Sequence, residues 1–261
     1  MPDLRSFSLE GKVVLQFGGS GLLGRALVAS LAEAGATLIV ASRNPDVLAP
    51  DAAAATKAGR HVHFEKVDLQ DETSIKTLVA QVAEKHGALH GMVYNAVTRT
   101  MAGYGDDLAK WEESMRVNAT GFFAAVRACG DAMAPHQRGS IVNISSQMGT
   151  IGPNYFLYEG TGATVSPDYF FHKGGMTNLT RYLAAHYGPS NVRVNVVSPG
   201  GIYNPAKPQA PDFLQRYGKM TMLGRMAEAR EIGGAVVFLL SDASSYITGA
   251  NLPVDGGYTA K

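Results

Sequence analysis

The chain has 261 residues, 46% of them apolar, and a formal net charge of +1. That length supplies core enough for one large α/β domain or two small ones, and the evenly mixed charges leave no basic stripe or acidic tail, so no nucleic-acid partner is expected. Cys129 is the only cysteine, which excludes an intrachain disulfide and a cysteine-built metal site; no metal is expected.

The first ten residues form no hydrophobic leader, and no stretch approaches the roughly 18 apolar residues needed to span a bilayer. A soluble, cytoplasmic protein without membrane attachment is expected.

Short apolar runs alternate with longer amphipathic segments, the pattern of βαβ units around a parallel sheet covered on both faces. Strands are predicted near 12–17, 37–42, 61–67, 91–95, 140–145, 193–197 and 251–254. Helices are predicted near 22–34, 71–86, 107–133, 169–187 and 228–240, with a weaker one near 51–58. The expectation is one doubly wound α/β domain of Rossmann type spanning 1–261. Two long stretches break the rhythm: an insertion near 149–168, and a proline-bearing segment near 200–224 that reads as a substrate lid.

The first strand runs into Gly18-Gly19-Ser20-Gly21-Leu22-Leu23-Gly24, which opens the first helix. Gly19, Gly21 and Gly24 fit the G-x-G-x-x-G spacing, in which missing side chains permit a tight turn and close approach of a dinucleotide pyrophosphate. At the end of the second strand an acid would bind the ribose hydroxyls of NAD(H). Here Ser42 is neutral, and the guanidinium of Arg43 suits a 2′-phosphate, so NADP(H) is favoured over NAD(H). The alternative is a surface arginine paired with Asp46. Asp68-Leu69 after the third strand and Asn95-Ala96 after the fourth lie at the carboxyl edge of the sheet, where ligands bind in open α/β folds.

Tyr169 and Lys173 are four residues apart, on one face of a predicted helix. A phenol exchanges protons near neutral pH only where positive charge stabilises the phenolate, and Lys173 supplies that charge.

Taken together these residues resemble the short-chain dehydrogenase/reductase family, in its one-domain branch, from Gly11 to Gly257. The landmarks follow the family's order: the 18–24 loop, Asp68, Asn95-Ala96, Asn118 in Val117-Asn118-Ala119-Thr120-Gly121, Ser146 in Asn143-Ile144-Ser145-Ser146, Tyr169 with Lys173, Ser198-Pro199-Gly200, and Val254-Asp255-Gly256-Gly257. The resemblance implies strand order 3-2-1-4-5-6-7 and hydride transfer between nicotinamide and a carbonyl or secondary alcohol. Tyr169 is then the acid/base, and Lys173 lowers its pKa and holds the nicotinamide ribose. Ser146 hydrogen-bonds the reacting oxygen, while Asn118 positions a water that links Lys173 to solvent. Ser145 should face the other side of its strand. Pro199, Gly200 and Ile202 would lie along the nicotinamide, with Asn204 where the family often has threonine.

Phe17, Leu22 and Val97 depart from the family pattern, as does His172, which reads as packing or subunit contact. The spacing from Ser146 to Tyr169 is about twice the family's habit. Its extra residues include Tyr155, Tyr158 and Glu159, a lining suited to a sugar-like or polyol substrate, as in members linked to sugar and surface-glycan metabolism. The insertion could instead cover the pocket or meet a neighbouring subunit. Rival readings are a 3-oxoacyl thioester reductase and an inactive cofactor-binding regulator. A homo-oligomer, commonly a tetramer in the family, is expected.

Overall fold

In a computed structural model, which describes residues 4–162 and 164–261, every residue of the first strand, β1 (Val13–Phe17), is buried. Met1 to Asp3, at the start of the stretch read as leaderless, and Ala163, inside the predicted insertion, lie outside the described residues.

A strand's side chains alternate between faces, and β1 divides accordingly. Val13, Leu15 and Phe17 join one apolar cluster, whereas Val14 joins the other. Each cluster is a contiguous core on its own side of the sheet, so burying all of β1 requires helices on both faces.

The remaining strands are β2 (Thr37–Ser42), β3 (Val62–Lys66), β4 (Gly91–Tyr94), β5 (Gly139–Ile144), β6 (Val192–Pro199) and β7 (Asn251–Val254). All pairings are parallel, in the order β3-β2-β1-β4-β5-β6-β7, as the resemblance implied. The order reverses between β1 and β4, and the crevice that reversal leaves at the carboxyl edge is where such sheets bind ligands.

The helices are α1 (Leu22–Glu33), α2 (Ala49–Lys57), α3 (Glu72–His86), α4 (Leu108–Met115), α5 (Phe122–Met133), α6 (Pro167–Tyr187), α7 (Pro211–Met220) and α8 (Gly233–Leu240). Three differ from the expected pattern. The predicted helix at 107–133 is interrupted by a π-helical turn, Arg116–Gly121, between α4 and α5. Such a turn interrupts the α-helical hydrogen bonding without ending the helix, so a helix read from its apolar residues runs through it.

The segment near 200–224 was expected to be a loop, and it contains α7. Its prolines suggested a loop, but Pro211 occupies the first helical turn, where the missing N–H has no partner to lose. The predicted helix at 228–240 begins as a 3₁₀ turn, Ala229–Ile232, held by a reciprocal Glu228–Glu231 capping box, and continues as α8. No helix among the described residues is long and apolar enough to cross a membrane.

Candidate active site

At the carboxyl edge the strand ends, the glycine loop, α6 and α7 enclose a cleft of about 850 Å³. That is large for a ligand pocket, which usually spans roughly 300–1,000 Å³.

One end of the cleft is built on α6. Asp168, His172, Lys173, Met176, Thr177, Thr180, Leu183, Ala184 and Tyr187 form a buried stripe at three- and four-residue spacing. It holds the helix against the sheet, with Thr180 accepting from Asn143 at 2.9 Å and Thr177 bonded to Ser145 at 2.9 Å. Tyr169 and Lys173 therefore reach the cleft from a helix that cannot roll.

Lys173 is 3% exposed, its Nζ donates to the Ile144 carbonyl at 2.6 Å, and it sits 5.7 Å from the centre of the Tyr169 ring. Burial, and after it the charge of Arg99, push the lysine down to about 7. Ser146, just past β5, lines the cleft with Tyr169, and its Oγ accepts from the Met148 N–H at 3.2 Å. The Ser145 hydroxyl instead donates to the Lys173 carbonyl on α6 at 3.0 Å. The pair thus separates as strand alternation demands.

Asn118 sits behind the cleft, 2% exposed. Its Nδ2 donates to the Thr98 carbonyl at 2.8 Å and to Ser114 Oγ at 2.9 Å, while its Oδ1 accepts from the Thr98 N–H at 2.9 Å. Ser114 in turn donates to the buried carboxylate of Asp168, which also accepts from Ser166. The carboxamide thus ties the segment after β4 to the residue preceding Tyr169. Both of its N–H groups are engaged, so any water it helps to hold must be met elsewhere. His172 is 4% exposed, edge-on to the Tyr169 ring at 5.3 Å, and burial followed by the Lys173 charge pushes it down to about 3. It is neutral packing, with neither ring nitrogen hydrogen-bonded.

The other end of the cleft is the glycine loop. Gly18 has φ +86°, and a Cβ there would lie 2.6 Å from Ala96 backbone atoms. Asn95 Nδ2 holds the Gly18 carbonyl at 2.8 Å. A Cβ on Gly19 would strike Val40, and one on Gly24 would strike the Gly18 and Gly19 backbone. Gly19 accordingly packs against β2 and does not line the cleft, whereas Gly18, Ser20, Gly21, Leu22, Leu23 and Gly24 do.

Gly21 is different. Its φ is −77°, and an added Cβ would meet nothing within 4 Å. Neither backbone conformation nor the protein's own packing requires glycine there; the room it leaves is on the cleft wall. Gly21 also provides no side-chain cap for α1, so the first-turn N–H groups remain available to an anion. At β2 the Ser42 hydroxyl is buried without a partner, and the neighbouring Arg43 forms no hydrogen bond or ion pair with any described residue, Asp46 included. These features fit a phosphorylated dinucleotide. Asp68, Leu69, Asn95, Ala96, Pro199, Gly200, Ile202 and Asn204 line the same cleft. No group of three or more side chains suited to a metal occurs among the described residues.

The family model described as enoyl-(acyl carrier protein) reductase matches residues 20–259. A 2,5-dichloro-2,5-cyclohexadiene-1,4-diol dehydrogenase of Sphingobium indicum is 35% identical, covering 97% of this chain and 98% of its own. The chain belongs to the short-chain dehydrogenase/reductase family. It is an oxidoreductase of that NAD(P)-using family.

Galactitol 2-dehydrogenase (L-tagatose-forming) of Cereibacter sphaeroides is 34% identical over 97% of both chains. Among solved structures, a gluconate 5-dehydrogenase from Burkholderia cenocepacia in complex with NADP and tartrate superposes with TM-score 0.89, 27% identity and 99% coverage of each chain.

Within this short-chain dehydrogenase/reductase, the segment 149–168 and α7 hold one another. Leu157 enters a small core with Tyr217 and Met226, Tyr158 packs tilted against Phe213 with ring centres 5.5 Å apart, and Arg216 of α7 donates to the carbonyls of Phe156 and Glu159 at 3.1 and 2.6 Å. This docking brings Tyr158 to the cleft. It leaves Tyr155 67% exposed, and neither Tyr155 nor Glu159 lines the cleft, so those two expected substrate residues lie apart from the site.

Sequence reading missed Tyr217, whose hydroxyl meets the Gln147 side chain at 3.2 Å, and Arg99, which lies over Tyr169. Aromatic periodicity in 211–220 could have flagged the first. Nothing local flags the second.

Proposed function

We infer that the protein transfers a hydride between NADP(H) and a secondary alcohol or carbonyl of a sugar-like or polyol substrate. The observation that carries this reading is the convergence of Tyr169, Ser146 and the buried Lys173 at one end of a cleft whose other end is the glycine loop. The 18–24 loop, Ser42 and Arg43, with Asp68, Asn95 and the 199–204 segment, would hold NADP(H), which would supply or accept the hydride when bound.

The chain's own groups handle the proton. In reduction Tyr169 gives its phenolic proton to the substrate oxygen, and in oxidation its phenolate removes the hydroxyl proton. The Lys173 charge favours that phenolate, and Ser146 donates a hydrogen bond to the same oxygen as its negative charge grows. Asn118 keeps the Thr98 segment and the Ser114–Asp168 chain in register with Tyr169.

Tyr158, Thr164 and Ser166 line the reacting end with hydroxyls, which suits a polyol better than an acyl thioester. The relatives named for galactitol and gluconate support the same class. An inactive regulator has no physical reason to keep the four catalytic groups together. Phe123, Phe171 and Tyr182, exposed on α5 and α6, suit a homo-oligomer, a tetramer by family habit, and the buried lone cysteine suits a cytoplasmic setting.

The test is Tyr169→Phe, which should lower kcat by about 10²–10⁴-fold while NADP+ binding, followed by fluorescence titration, is retained. Intact turnover in that variant would refute the proton-transfer assignment.

A further inference from the structure

We propose that the substrate is a hydroxy carboxylic acid and that Arg99 is the residue that binds its carboxylate. The inference deepens the hydride-transfer reading and rests on it for the place of the reacting carbon.

Arg99 lies in the segment after β4 and lines the cleft, with its guanidinium carbon 5.2 Å above the centre of the Tyr169 ring. Apart from that ring it is unengaged: it makes no hydrogen bond or ion pair with any described residue. Among the described residues Arg43, at the other end of the cleft, and Arg116 are likewise unpaired, but other arginines are engaged. Arg127 holds Glu72, Arg225 holds Glu231 through both terminal nitrogens, and Arg216 and Arg193 donate to backbone carbonyls. An arginine beside Tyr169 whose donors meet no described residue is placed to meet something that arrives.

The charges around it specify what arrives. Among the described residues five charged side chains line the cleft: Arg43, Asp68, Arg99, Asp168 and Lys173. Asp68 lies at the end of the third strand's run, where its carboxylate accepts from the Gln70 N–H at 2.9 Å. Asp168 is 1% exposed and its two oxygens accept from Ser114 and Ser166. Neither forms an ion pair with Arg99. The reacting end therefore presents two cations, Arg99 and Lys173, against one sequestered carboxylate.

That arrangement works against Lys173: after burial, repulsion from Arg99 is the next cause of its lowered proton affinity. An anion seated on Arg99 cancels the repulsion and leaves the lysine charge that the phenolate needs. A carboxylate fits better than a phosphate, because one guanidinium balances a single negative charge through its planar fork, and Lys173, the other cation at this end, already donates to Ile144. Tyr158, Thr164 and Ser166, lining the same end, offer partners for the acid's hydroxyl groups.

The test measures binding to the enzyme–NADP+ complex by calorimetry, using D-gluconate against D-glucitol and tartrate against threitol. Each pair differs in carboxylate versus hydroxymethyl. In the wild type at least one acid should bind about 10-fold or more tighter than its neutral partner. Arg99→Gln should erase that preference and Arg99→Lys should retain part of it, with NADP+ affinity unchanged in both. Absence of any acid preference in the wild type, weak binding of both acids included, overturns the proposal, as does a preference that survives Arg99→Gln. Oxidation of the neutral alcohol cyclopentanol, with Tyr169→Phe as control, tests hydride transfer separately, so failure of one reading is distinguishable from failure of the other.

Discussion

Lys173→Met should make the fold more stable while abolishing turnover. The lysine is buried, and its proton affinity falls from 10.5 to about 7, chiefly through loss of hydration and then through Arg99. A shift of that size corresponds to a penalty of about 5 kcal/mol on holding the charged form in the folded chain. Methionine removes the penalty and loses the bond to the Ile144 carbonyl, worth about 1 kcal/mol, so below neutral pH the variant should gain about 2–4 kcal/mol.

The pH dependence follows from the direction of the shift. Below about pH 7 the folded and unfolded chains both carry the proton, and the wild type bears the whole penalty. Between about pH 7 and about pH 10.5 the folded chain has released a proton that the unfolded chain still holds, so wild-type stability rises with pH. From about pH 7 to about pH 9 the wild type should regain about 2–3 kcal/mol relative to the variant, narrowing the gap in Tm by about 5–10 °C. The assay is thermal unfolding of both proteins without cofactor, at matched concentration, across that range. A gap independent of pH, or a variant less stable than the wild type at about pH 6, would refute the account of Lys173 as a charge held at the fold's expense.

Two further substitutions address the nucleotide end. Arg43→Ala should lower kcat/KM with NADP+ by about 10-fold and leave NAD+ kinetics unchanged, since the free guanidinium has a partner only in the 2′-phosphate; equal losses with both cofactors would remove it from cofactor choice. Gly21→Ala and Gly24→Ala form a matched pair. A Cβ at Gly24 would lie 2.6 Å from the Gly18 carbonyl oxygen, so that variant should lose both NADP+ affinity and about 1–3 kcal/mol of stability. At Gly21 a Cβ meets no protein atom, so Tm should hold while cofactor affinity falls; unchanged affinity by titration would mean the ligand does not approach there.

Much of this site is written locally. The glycine loop is legible because a strand, a tight turn and a helix start lie within a few residues, and Tyr169 with Lys173 because helical geometry alone sets four-residue neighbours on one face. The sheet follows from alternation of apolar runs and amphipathic segments, which any reader of β1 and its successors can see. That Ser145 and Ser146 find different partners also follows from strand alternation.

Other features depend on partners far along the chain. The π-helical turn around Asn118 does not end the helix it lies in, and the Asn118 side chain bonds Thr98, 20 residues away. Tyr158 reaches the cleft and Tyr155 does not because α7, some 60 residues later in the chain, grips the turn between them. The glycines divide the same way: spacing marks Gly19, Gly21 and Gly24 alike, but only the surroundings in space reveal that Gly19 and Gly24 serve the protein's own packing and Gly21 leaves room for a ligand. Arg99 is the sharpest case. Its sequence context is an ordinary post-strand segment, and its importance comes from a ring 70 residues later that α6 places beneath it. Sequence by itself determined the fold and set the glycine loop and the Tyr169–Lys173 pair in their places on it, because each rests on short-range geometry. Tertiary structure alone decided which side chains meet in the cleft and which charge is left free there, because those depend on contacts that no local pattern encodes.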